Sequence, residues 1–268
     1  MITKARIVEI SKKEKLPLGT VEKDFVLTYL LKKIYESKLK NKLVFKGGTA
    51  LHKFYLHRRI SIDLDFTELE KININDLKKT IEDKEINSKI KEIIKTNNST
   101  KIILSYFSIL EYKNNIVLDI SKREKPILKL VIKKLKSPYF KEINILTFQL
   151  EELVAEKIRA LVQRNKPRDY LDVYYALKYK NINCKKAINI AKKKLEITKD
   201  KFSIKNITNK DNLALVKSLW EQDLRELLPD IPDFNKVVIT LEDKLKIKNE
   251  TKRGKRKERK PNKKSCQE

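Results

Sequence analysis

The run Ile60-Ser61-Ile62-Asp63-Leu64-Asp65-Phe66 narrows the possible folds more than any other stretch of the chain. Its alternation puts Ile60, Ile62, Leu64 and Phe66 on one face of a strand and Ser61, Asp63 and Asp65 on the other. The apolar face calls for a core beneath it. The opposite face carries two carboxylates, which repel each other unless they share a cation or face water. Just upstream, Leu43-Val44-Phe45-Lys46 reads as a short strand ending in Gly47-Gly48, with Thr49 placed to cap a helix through about Leu56. A strand, a glycine turn and a helix start bring backbone N–H groups close to an anion, although such a turn also serves simply to reverse the chain. The short helix lets turn and carboxylates meet at one end of a sheet. That juxtaposition suits a metal-bound nucleotide, because cations neutralise the triphosphate and activate a hydroxyl.

The rest of the chain supplies a core and further charged positions. Residues 1–40 read as helical, with Thr20 as an N-cap ahead of Val21, Phe25, Leu27, Leu30, Leu31 and Ile34. Residues 74–95 read as a second amphipathic helix, and 101–109 and 115–121 as neighbouring strands. Asp119, between Leu118 and Ile120, is a carboxylate inside an apolar strand. It needs a partner or a metal, and beside the 60–66 strand it would make a third carboxylate of one site; Lys122 or Arg123 could equally pair with it. From Thr147 the pattern becomes helical. Lys157 falls on the apolar stripe of Leu150, Leu153, Val154 and Leu161. An inward lysine calls for an anion such as a bound phosphate, for an ion pair with Asp169 or Asp172, or for an escape to the stripe's edge. Asp169 and Asp172 share one face of a helix opened by Pro167, where acidic residues also serve as ordinary dipole partners.

Charge bears on partners. The formal net charge is +27, and nine Lys/Arg against one Glu lie between Lys252 and Lys264. The remainder is still strongly basic, which favours a polyanion such as nucleic acid, although a lysine-rich coding bias produces the same excess. Two distant cysteines make neither a disulfide framework nor a metal cluster, and two histidines leave little for a zinc site. A metal here would be held by carboxylates, hence Mg2+ or Mn2+. No apolar run approaches a membrane span and no signal-peptide core is evident, so the expected location is cytoplasmic, with no membrane partner.

Taken together, Glu22–Leu27, Lys46–Leu51, Arg58–Phe66, Glu156–Arg164, Arg168–Leu177 and Ser218–Leu228 resemble the AbiEii/AbiGii toxin family, in the family's order. These are nucleotidyltransferase-like toxins of abortive-infection and toxin–antitoxin systems. The resemblance implies an α+β fold, a nucleotidyltransferase-like mixed sheet with helices plus a C-terminal helical domain. The expected division is 1–146 for the first domain, 147–245 for the helical domain closing the nucleotide site, and 246–268 for a basic disordered tail outside the family pattern. It also implies roles. Gly47, Gly48 and Thr49 would hold the triphosphate of an NTP, with Arg59 and Ser61 beside it. Asp63 and Asp65 would bind metal, with Asp119 as third carboxylate. Lys157 would be the catalytic lysine, and Asp169 and Asp172 the last acidic motif. Some relatives transfer nucleotides to the tRNA 3′ end and block translation, and a cognate antitoxin neutralises such toxins. The expected activity is therefore nucleotidyl transfer from an NTP to RNA with release of pyrophosphate. Transfer onto a protein hydroxyl and non-catalytic binding of nucleic acid are the alternatives. The last leaves the paired aspartates unexplained, because carboxylates in a binding groove repel phosphate.

Overall fold

The computed structural model describes residues 2–200 and 202–245. Two helices, α1 (Lys4–Glu14) and α2 (Leu18–Tyr35), lead into β1 (Leu43–Lys46), α3 (Gly47–Leu51), a π-helical turn (His52–Leu56) and β2 (Asp63–Glu68). Next come α4 (Ile74–Ile81), β3 (Lys89–Lys95), β4 (Ser99–Phe107), β5 (Lys113–Ser121), β6 (Val131–Leu135) and β7 (Ile143–Thr147). Helices follow: α5 (Leu150–Gln163), α6 (Pro167–Tyr179), α7 (Cys184–Ile197), α8 (Ile204–Ile207), α9 (Lys210–Leu224) and α10 (Phe234–Lys244). The strands form one mixed sheet in the order β3-β4-β5-β2-β1-β7-β6. Pairing is antiparallel except between β2 and β5 and between β1 and β7.

The central strands are set by the carboxylate run and its neighbours. Leu64 and Phe66 are fully buried, and the Phe66 ring sits 5.6 Å from that of Phe45 across the β1–β2 pair. Helix α2 is apolar nearly all round and buried accordingly, as a helix crossing the core must be. Its last residue, Tyr35, places its hydroxyl between β1 and β7. There it accepts from the Phe45 N–H and lies within 3.0 Å of the Leu43 and Leu146 carbonyls. The Thr147 hydroxyl donates to the Phe45 carbonyl, so the short parallel contact of β1 with β7 is closed by side chains as well as backbone.

Several local expectations change. Helix α2 starts after Pro17 rather than at Thr20, which is buried within it. Helix α3 begins at Gly47 itself, and the Thr49 hydroxyl donates to the Asp63 carbonyl rather than capping the helix. Strand β2 begins at Asp63, leaving Ile60–Ile62 as a connecting segment whose Ile60 N–H donates to the Leu227 carbonyl. The expected helix over 74–95 is a helix and a strand. Asn87, at φ 42°, turns the chain after α4, and the buried Ser88 hydroxyl donates to the Ile81 carbonyl. Residues 246–268, expected as a tail, lie outside the described residues. Among the described residues no helix is long and apolar enough to cross a membrane.

Candidate active site

Register brings the sequence-predicted carboxylates together. Asp65 of β2 is the direct partner of Asp119 on β5 and of Lys46 on β1, and all three point to one face of the sheet. Asp63 lies two residues along on that face. Burial pushes the Asp65 carboxyl up to about 6; Lys46 and Lys157 pull it down, while Asp63 and Asp119 push it further up. A set of oxygen donors strained in this way is the chemistry that a hard divalent cation relieves. Among the described residues no three such groups are drawn around a common point.

The glycines are required by space as well as by turn geometry. Gly47 has φ +74°, and a Cβ there would fall 1.9 Å from Asp65 Oδ2. A Cβ at Gly48 would lie 3.1 Å from Arg59 Nη2, 3.2 Å from Ser61 Oγ and 3.5 Å from Lys157 Nζ. The bare Cα of Gly48 is therefore the floor of a cradle walled by three polar side chains, Arg59 and Ser61 from one segment and Lys157 from far along the chain.

Two of those side chains, Lys157 and Arg59, are held by the two aspartates of α6. Lys157 on α5 is inward, as its stripe position predicts, and its ammonium lies 2.9 Å from Asp169 Oδ1 and 2.8 Å from Asp172 Oδ2. The expected anion is thus protein carboxylate. Burial pulls the lysine down, but the two carboxylates outweigh it and its affinity for the proton is raised. Arg59 grips Asp172 with Nε and Nη2 at 2.8 and 2.9 Å, and Nη1 donates to the Ile60 carbonyl. Arg164 donates to Asp169. Burial alone would raise Asp172, yet Arg59, Lys157 and His52 hold it well below the usual carboxylate range. The cluster contains three cations against two carboxylates, and its donors are not used up. An ammonium has three N–H groups and a guanidinium five, so Lys157 keeps one and Arg59 keeps two beyond these bonds. Ser61 Oγ has no partner among the described residues.

Sequence reasoning missed several participants. His52, carried by the π turn, accepts the backbone N–H groups of Arg58 and Arg59 at Nδ1 and donates from Nε2 to Asp172 at 2.8 Å. Burial and the Arg59 charge hold it down to about 4, so the ring is neutral near pH 7. Lys46 and Glu156 belong to a buried ionic network behind the site. Glu156 pairs with Lys46 at 3.3 Å and with Lys194 of α7 at 3.1 Å, and Glu124 bonds Arg159. The signal for Lys46 and Glu156 was adjacency to Gly47 and Lys157; nothing in the sequence pointed to Lys194. A cleft of about 560 Å3 opens beside the cradle, sharing Arg59 and Ser61 with it and lined also by Thr49 and His52.

A model of the AbiEii nucleotidyl transferase toxins, described as a Type IV TA system, matches residues 29–246. The chain belongs to this AbiEii family. Its fold is similar to that of the nucleotidyltransferase toxin MenT4 from Mycobacterium tuberculosis, with TM-score 0.72 at 16% identity, covering 91% of this chain and 89% of that one. It is also similar to JHP933 from Helicobacter pylori, with TM-score 0.55 at 19% identity, covering 87% of this chain and 92% of that one. No curated protein matches the chain. Membership in the AbiEii family makes this a toxin-type nucleotidyltransferase, with a nucleotide substrate and an antitoxin partner.

Proposed function

We propose that this AbiEii protein transfers a nucleotide from an NTP to an RNA hydroxyl, the tRNA 3′ end being the leading acceptor, with loss of pyrophosphate and arrest of translation. The observation that carries the reading is the convergence of unused donors from Arg59, Ser61 and Lys157 on the bare Cα of Gly48. These groups bind phosphate oxygens of the incoming nucleotide. Asp172 fixes the edge that the guanidinium presents, and Asp169 and Asp172 together hold Lys157 as an ammonium. Their geometry is set before substrate arrives, so little reorganisation is needed as charge builds on the leaving pyrophosphate. Asp63, Asp65 and Asp119 are the residues to hold Mg2+ or Mn2+. Such ions, when bound, lower the pKa of the attacking hydroxyl and offset phosphate charge. The buried Lys46–Glu156–Lys194 network fixes β1 against α5 and α7, and with it the strand end that presents Gly47.

The test is incubation with each labelled NTP, Mg2+ and total tRNA, for wild type and for Asp65→Asn and Asp63→Ala. Label should enter RNA with wild type alone. Asp65→Asn should melt at or above the wild-type temperature at pH 7. Its raised pKa means the charged carboxylate opposes folding above about pH 6, whereas protonation removes that penalty at lower pH. Undiminished transfer by either variant would remove the carboxylate assignment, and label in protein but not RNA would replace the acceptor.

A further inference from the structure

Arg58 adjoins Arg59 but does different work. Its guanidinium lies over the Tyr179 ring, 4.1 Å from the centroid. That ring is 43% exposed and Arg58 is exposed too. Tyr179 ends a ladder on α6, with Tyr174 and Tyr175 rings 5.5 Å apart and Tyr175 and Tyr179 rings 5.9 Å apart. Lys178 places its ammonium 4.9 Å from the centroid of the same ring. Among the described residues the Arg58 side chain makes no ion pair. The left-handed turn at His57, φ 51°, immediately precedes it.

A guanidinium is flat, with two faces. Tyr179 covers one, and the exposure of the side chain leaves the other to solvent. Ring contact removes rotamer freedom before any ligand arrives, so the open face is presented in a fixed orientation. Arg58 and Tyr175 both line the cleft whose inner wall includes Thr49, Arg59 and Ser61, and the Thr49 hydroxyl is bonded to the Asp63 carbonyl. Arg6, Lys13, Lys53 and Lys136 line the same cleft, alongside Glu9, Glu14, Asp24 and Asp230, and the Lys53 ammonium is paired with Asp24 at 2.7 Å. A flat cationic face on this cleft, whose lining carries six basic side chains against four acidic ones, matches unpaired bases strung on phosphates. Bases stack on arginine planes and phosphates meet the ammonium groups. An acidic protein segment would use the charges but not the plane.

We propose that Arg58, held flat on Tyr179, is a nucleobase-stacking platform at the mouth of this cleft, and that the cleft takes single-stranded RNA. The proposal rests on the RNA-acceptor reading above and adds where the strand is gripped. Charge and plane can be separated by substitution. Arg58→Lys keeps the charge and loses the plane. Arg58→Ala loses both. Tyr179→Ala leaves the guanidinium in place but unsupported. Both sites are exposed, so folding should persist in all three variants, and melting curves check it.

The experiment titrates a short labelled single-stranded RNA by fluorescence anisotropy between about 50 and 200 mM salt, with NTP binding measured on the same preparations. Arg58→Lys should bind RNA about tenfold more weakly with the wild-type salt slope. Arg58→Ala should bind more weakly still, its log–log slope reduced by about 0.7. Tyr179→Ala should follow Arg58→Lys. NTP affinity should be unchanged in all three. Arg58→Lys binding RNA as tightly as wild type would overturn the proposal, since Arg58 would then act only as a charge. So would a parallel loss of NTP and RNA affinity. If wild type binds no RNA, both the platform and the acceptor reading fall. If wild type binds RNA and the variants match it, only the platform falls. The expected pattern in a protein that transfers to no RNA upholds the platform and removes the acceptor reading.

Discussion

Lys157→Met should destabilise this protein, but less than Asp172→Asn, and the order follows from the bonds in the cluster. Met keeps most of the aliphatic stem and removes two charge-assisted contacts, at 2.9 and 2.8 Å. Hydrogen bonds to charged groups contribute about 1.5–3 kcal/mol each. Neither aspartate is stranded, however. Asp169 keeps Arg164, and Asp172 keeps both arms of Arg59 and the His52 donor. Removing one of three cations also relieves repulsion between Lys157 and Arg59, and an ammonium no longer has to be desolvated. The net loss should be about 2 kcal/mol, or roughly 4–8 °C in melting temperature for a domain of this size. Asp172→Asn leaves Arg59 and Lys157 facing a neutral amide at a fully buried position. Breaking a buried pair this way costs about 3–5 kcal/mol. Thermal melts of the three proteins at pH 7, beside NTP-binding titrations, give the order, and Lys157→Met should bind NTP at least tenfold more weakly. A Lys157→Met protein that melts at or above wild type, or below Asp172→Asn, would refute the accounting. Native NTP affinity in that variant would remove the lysine from the cradle.

Gly48→Ala should fold, because the new methyl meets only side-chain ends and none closer than 3.1 Å, yet lose NTP binding by filling the cradle; Gly47→Ala should fail to fold or melt far lower, because φ +74° and Asp65 both oppose a Cβ. Binding and melts on the pair check this, and equal behaviour of the two would contradict it. Glu156 is pulled from 4.5 down to about 2, where the cations Lys46, Lys194 and Arg159 outweigh its burial. A depressed carboxylate stabilises the fold fully above about pH 4.5 and loses that contribution as pH falls towards 2, here about 3 kcal/mol. Glu156→Gln should therefore melt lower at pH 7 and show a shallower decline over that window; an unchanged pH profile would show that the network contributes no linkage.

What the sequence made legible was the part governed by local pattern. Strict alternation at Leu64 and Phe66, the Gly47-Gly48 turn and the apolar stripe around Lys157 all specify geometry within a few residues. Their structural positions follow, although the boundaries move by up to three residues. The failures have physical causes at longer range. Ile90, Ile93 and Ile94 show helical spacing, yet they lie in an edge strand. A bulge between Ile90 and Glu92 adds one residue to the period of two, so Ile90 and Ile93 reach the same side at a spacing of three. No single-strand pattern distinguishes that from a helix. Likewise Arg59 and Asp172 are 113 residues apart, and only the packing of α6 on the π turn brings them together. Their contact cannot be read from either neighbourhood, nor can the use of His52 to bind both.

The Ile60–Leu227 backbone bond and the Arg59–Asp172 grip have a bearing on when, during synthesis, the enzyme comes into being. Glycine turn and carboxylate strand emerge early from the ribosome, but the two aspartates that grip Arg59 and Lys157 lie beyond Pro167, and the segment that anchors Ile60 lies later still. Contacts so distant in sequence form slowly, because long loops must close before the contact contributes. A partly made chain can therefore have its sheet nucleus without an assembled cradle at Gly48. For a toxin-type nucleotidyltransferase, that order delays competence until α6 and the Leu227 segment have been made, and leaves an interval in which a partner can meet a folded but incomplete toxin.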